Sequence, residues 1–184
     1  MDSDYVPADQ INKLADLATL DAANFVDVRD RLIAYALCYD LGLRIGEAAR
    51  LRMDDVRVNG FVEVVLPGEI QKGSGKATVT LRNLFPESKS LFESYLAVRP
   101  ETGSTALLLS EAGKTLHTSG CRNAVKRISA ALEIKTHGGK LPCPHRYRHS
   151  LGTLNVGELG MRLSPYFLMR RYRHNDLQVR SEEH

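Results

Sequence analysis

GLRIGEAARLRMDDV, Gly42–Val56, is the stretch at which the chain changes character. Before it lie helical patterns, and just after it the residues become valine-rich. Gly42 stops the preceding helix, and a short helix follows over about Gly46–Leu51. Arg44 stands between the stop and the new start, so it can point into a cleft instead of along a helix face. Glu47, three residues on, can pair with Arg44 or with the backbone at its own helix start. A surface salt bridge is the bland alternative.

Upstream, Pro7 can open a helix over about Ala8–Ala18 behind a loose lead, with Ile11, Leu14, Ala15 and Ala18 as its apolar stripe. A stronger helix covers about Asp27–Asp40, where Val28, Leu32, Tyr35, Ala36 and Tyr39 recur at helical spacing. Cys38 reads there as a small core residue. Downstream, Phe61–Leu66 and Ala77–Leu81 read as strands of a small antiparallel sheet. Their connection, GEIQKGSGK, exposes Lys72 and Lys76. Helices are expected over about Glu87–Val98, over Ser119–Leu132 with Thr118 or Ser119 as cap, around Arg148–Glu158, and after Ser164-Pro165. The fold class is mainly α with a small antiparallel β-sheet (α+β).

The 184 residues suffice for one domain, and a 43% hydrophobic fraction argues against general disorder. Three scattered cysteines make neither a disulfide framework nor a zinc pair. With no apolar run of membrane-spanning length and no secretory core, the expectation is a soluble, cytoplasmic protein. Net charge is only +3, yet from His145 to Arg180 seven arginines face two acids, Glu158 and Asp176. That imbalance suits a polyanionic partner.

PHRYRHS, Pro144–Ser150, is the densest part of this basic region. Arginine's fork matches two phosphate oxygens, and histidine can donate to a third or exchange a proton near neutrality. If a helix begins here, His145 and Arg148 can approach one site while His149 points elsewhere. His145 and His149 have i,i+4 spacing, but no companion carboxylate follows and the neighbourhood is cationic, so no metal site is expected.

Taken together, GLRIGEAARLRMDDV, QKGSGKATVTL, PHRYRHS and RHNDLQV resemble the catalytic domain of the tyrosine recombinases, the phage-integrase family. The resemblance implies catalytic roles for Arg44, Lys72, His145, Arg148 and His174. It implies supporting roles for Glu47, Asp55 (the structural acid of the first box) and His149. Arg44, Lys72, Lys76, Arg146, Arg148, Arg171 and Arg173 are the expected DNA contacts. In such a site the arginines bind a scissile phosphate, the histidines add donors, and Lys72 protonates the leaving 5′-oxygen. A tyrosine then forms a 3′-phosphotyrosine link. The implied partner is double-stranded DNA, with homo-oligomers on DNA as the assembly, no membrane, and no cofactor.

Two departures stand out. Arg173 holds a place commonly taken by glycine, and Glu183 stands where the nucleophilic tyrosine is expected. Tyr147, Tyr166 and Tyr172 do not match that position. The resemblance therefore implies that residues 1–184 form a catalytic domain without the separate N-terminal core-binding domain and without the final tyrosine segment. A noncatalytic duplex-DNA-binding or interaction module retaining the fold is the alternative.

Overall fold

A computed structural model describes residues 4–73, 75–156 and 165–173. The chain runs α1 (Ala8–Asn12), α2 (Phe25–Arg31), α3 (Ile45–Arg50), β1 (Val56–Val58), β2 (Val62–Leu66), β3 (Val79–Arg82), α4 (Pro86–Val98), α5 (Thr118–Ala131), α6 (Pro144–Val156) and α7 (Pro165–Tyr172). It is mainly helical with one small antiparallel sheet. No described helix is long and apolar enough to cross a membrane.

Helix α2 begins where Asn24 accepts from the amides of Val26 and Asp27, at 3.0 and 3.2 Å. From Leu32 to Asp40 it continues as a wider π-helix, whose last turn closes from the Leu41 amide to the Ala36 carbonyl. All nine residues of this extension are buried, so the one-sided stripe expected from the sequence becomes a central rod. Helix α6 packs against it on one side and α4 on another. Each fully buried leucine or isoleucine there contributes about 2 kcal/mol of transfer free energy. Cys38 is fully buried within the rod, and that burial pushes its thiol pKa up, as suits a core residue.

The sheet order is β1-β2-β3, with Val56 opposite Val64 and Val64 opposite Leu81. Alternation along β2 buries Val62, Val64 and Leu66 on one face. Strand β1 was not expected. Its three residues, Val-Arg-Val, are too few to show a period before pairing with β2 reveals it.

The lysine-bearing connection between β2 and β3 is tied from inside. Gln71 is buried and donates to the carbonyls of Leu66 and Ala77, at 3.2 and 2.8 Å. Gly68 is obligatory there, because a Cβ would sit 1.8 Å from the Lys76 carbonyl oxygen.

Several boundaries differ from the sequence reading. Helix α1 ends at Asn12, and Asp16 instead organises a turn by accepting from the Ala18 amide. Neither Thr118 nor Ser119 caps α5: Thr118 is its first residue, and His117 stands at the cap without a side-chain bond. Helix α6 starts at Pro144 instead of Arg148, since proline's fixed φ suits a first helical position. The basic cluster therefore lies wholly on α6.

The supposedly loose lead is also anchored. Asp4 accepts from the Thr136 hydroxyl at 2.6 Å and the Gly138 amide at 2.7 Å, Tyr5 stacks on His137, and the Val6 amide donates to Ser150 Oγ on α6. The Thr136 hydroxyl, more than the Gly138 amide or the charges of Arg146 and Lys140, holds the Asp4 carboxyl below its ordinary 3.8. A depressed carboxyl stabilises the fold above its unfolded pKa, and that contribution vanishes as pH falls through the folded value. Acidification below 3.8 is therefore expected to release this latch. Faster exchange of the Gly138 amide, corrected for intrinsic pH dependence, is the readout; unchanged protection would exclude it.

Candidate anion-binding site

Arg44 caps α3 with extended backbone, and Glu47 in the first turn accepts from the Arg44 amide at 2.8 Å. This is the local pairing the sequence allowed, but it is not a surface bridge. Glu47 is only 2% exposed, and its Oε2 lies 3.8 Å from Arg44 Nη1. Arg173, at the end of α7, supplies the missing context. Its Nε donates to Glu47 Oε2 at 3.1 Å, and its Nη2 bonds to Glu47 Oε1.

Arg148 enters from α6, 5% exposed. Its Nε donates to the Gly42 carbonyl at 2.8 Å and its Nη2 to the Tyr172 carbonyl at 2.7 Å. The guanidinium also lies 4.9 Å from the centre of the Tyr172 ring. Tyr172 in turn donates its hydroxyl to the Arg148 carbonyl and accepts from the Gly152 amide. Gly42 permits this closure: its φ is +67°, and a Cβ would come within 3.3 Å of the Tyr172 ring.

The electrostatic outcome is one buried carboxylate among three guanidiniums. Burial, followed by the positive charges of Arg44 and Arg173, pushes the Arg148 pKa down to about 10. Arg148 thus remains a cation at neutral pH in a place that penalises uncompensated charge. An anion there would relieve that penalty. Phosphate suits it, because its oxygens can accept from more than one guanidinium.

His145 is exposed and His149 buried, and their rings stack with centroids 6.0 Å apart. His149 therefore keeps company with His145 instead of pointing elsewhere, as helical i,i+4 neighbours do. Arg146 reaches the Asp4 carbonyl at 3.1 Å. Asp55 accepts from the Arg52 amide at 2.8 Å, a local cap, while Glu47 is the acid placed between the arginines. Lys72 is exposed on the β2–β3 connection.

Lys76, Arg82, Arg170, Arg171 and Arg173 line a cleft of about 840 Å³ between β3 and α7. Of these, Arg171 is 4% exposed and bound to the Asp40 carboxylate at 3.1 Å. A buried cation already neutralised by an aspartate is poorly placed for the DNA contact expected of it. Arg173 is similarly enclosed, 8% exposed. His174 lies outside the described residues, as do Glu158, Ser164, Asp176 and Glu183. No group of three or more His, Cys, Asp or Glu that could hold a metal occurs among the described residues.

Sequence reading missed Asp40 and the supporting carbonyl of Gly42. The available signal for Asp40 was an acid closing the uncharged run Leu32–Tyr39. No residue pattern announces a carbonyl.

Comparison with known proteins agrees with this architecture. The chain is 29% identical over 149 residues to the tyrosine recombinase XerD of Listeria innocua, which spans 79% of this chain and 46% of that protein. It thus spans about half the length of the relatives it matches. Its fold is similar to the crystal structure of XerA recombinase, with a TM-score of 0.76, 20% identity, and 97% of this chain matched to 59% of that one. XerH site-specific recombinase, solved in a post-cleavage complex with its palindromic difH substrate, gives a TM-score of 0.72 at 20% identity, covering 97% and 48% of the two chains. The model of the phage integrase family matches residues 4–162, across every element from α1 to α6, and the chain belongs to that family.

Proposed function

We propose that this chain is the catalytic unit of a site-specific DNA recombinase architecture, and that it grips a duplex-DNA phosphate between Arg44 and Arg148. The single observation carrying this reading is the buried, incompletely neutralised guanidinium cluster around Glu47. Arg148 spends Nε and Nη2 on carbonyls, and Nη1 has no partner among the described residues. Arg44, 31% exposed at its side chain, provides the solvent-facing half of the grip.

In the full reaction of such a site, a tyrosine oxygen attacks phosphorus and the 5′-oxygen leaves. His145 and His174 would donate to phosphate oxygens, and Lys72 would protonate the leaving oxygen. Arg44 and Arg148 would hold the charge that develops in the pentacoordinate transition state. With Glu183 at the nucleophile's expected position, residues 1–184 by themselves would bind DNA without forming the covalent link. Other copies on the same DNA would complete the assembly.

Two measurements test this. Fluorescence anisotropy with a short duplex across a salt series is expected to show affinity falling steeply with log salt. Salt-independent binding would exclude a phosphate grip. A nicked suicide duplex is expected to yield no protein–DNA adduct; a covalent band on denaturing gels would show that another residue attacks.

A further inference from the structure

Arg173 occupies an unusual place in this cluster. Its φ is +60°, a left-handed conformation that non-glycine residues seldom adopt, and it is nevertheless buried. What it gains there is a set of bonds to the groups that support Arg44 and Arg148. It holds both Glu47 oxygens, the carboxylate that Arg44 would otherwise claim. It also donates through Nη2 to the Gly42 carbonyl at 3.2 Å, the oxygen that Arg148 Nε uses at 2.8 Å. Its Nη1 returns to the Arg171 carbonyl at 2.5 Å, which ties the fork to its own helix end.

The consequence for Arg44 is visible in the distances. Charge-assisted N–H···O bonds are normally about 2.7–2.9 Å. Arg44 Nη1 stays 3.8 Å from Glu47 Oε2, with its side chain 31% exposed. The carboxylate is engaged by the better-aligned fork of Arg173, and Arg44 is left turned toward solvent.

Resting on the phosphate-grip reading above, we propose that Arg173 is a positioning residue of this chain: by occupying Glu47 it keeps Arg44 available for a DNA phosphate. Arg173 does not itself touch the phosphate in this arrangement. Its removal would let Glu47 draw Arg44 inward and neutralise it.

The test is a double-mutant cycle on the full chain, with duplex-DNA affinity as readout and circular dichroism confirming the native helix content of each variant. Arg173→Gly suits the measurement, because glycine adopts φ +60° without strain. Arg173→Gly and Arg44→Ala are each expected to weaken binding about tenfold, roughly one charge-assisted bond. The double variant is expected to be scarcely weaker than either alone, since Arg44 is already withdrawn when Arg173 is absent. Arg173→Lys should recover only part of the affinity, lacking the planar fork. Additive losses would overturn the proposal, because they would mean two independent charges. Parental affinity in Arg173→Gly, with Arg44→Ala still weak, would overturn it while leaving the phosphate grip standing. Parental affinity in Arg44→Ala would remove the grip and this proposal with it.

Discussion

Asp40→Ala is expected to lower the stability of the fold by about 3–5 kcal/mol, the usual cost of removing one partner from a buried ion pair. Asp40 is fully buried at the end of the central rod. One of its oxygens accepts from the Leu84 amide at 2.7 Å and Arg171 Nη2 at 3.1 Å; the other accepts from the Phe85 amide at 3.2 Å and the Ser88 hydroxyl at 2.6 Å. This single carboxylate therefore joins the rod to the β3–α4 turn, to α4 and to α7. Truncation would leave a buried guanidinium and three further donors without their acceptor. Denaturant unfolding with intrinsic fluorescence or circular dichroism measures the loss. The companion Asp40→Leu/Arg171→Met variant should recover part of it, because replacing both charges by apolar side chains avoids an orphaned ion. A loss below about 1 kcal/mol would place Asp40 among solvated pairs and refute its burial.

The second large effect concerns binding. Arg44→Ala together with Arg148→Ala is expected to weaken duplex-DNA affinity at least about a hundredfold at low salt, taking roughly 1.5–3 kcal/mol for each hydrogen bond to a charged group. The salt dependence should flatten as well, by about one unit of log–log slope for each phosphate-bound cation lost. Arg148 also supports the Gly42 and Tyr172 carbonyls, so its removal carries a structural cost. The slope separates the two effects. Partial unfolding reduces the competent fraction without altering counterion release by the molecules that bind. An unchanged slope would therefore place the phosphate contact elsewhere on the protein.

Particular residues show why part of this arrangement could be read in advance. Arg44 and Glu47 are three apart, and Pro144–Ser150 is one helical segment, so local spacing and motif resemblance were enough to single them out. The strands around Val64 and Leu81 alternate cleanly, which made the sheet legible. The central rod was harder. A stripe was visible over Asp27–Asp40, but burial on every side depends on α4 and α6 arriving from elsewhere in the chain. Asp4 and Gly138 are 134 positions apart, and neither residue type advertises the other.

Local chemistry along the chain thus determined most helical segments, the turns, the alternating strands and the identity of the basic boxes, because each depends on neighbours within a few residues. Tertiary structure alone decided which charges remain available. Arg171 and Arg173 looked like equal members of a basic surface until folding brought them to Asp40 and Glu47, each across a long separation in sequence. The physical reason is that a guanidinium's role follows from its nearest anion and its access to water, and both are properties of three-dimensional proximity.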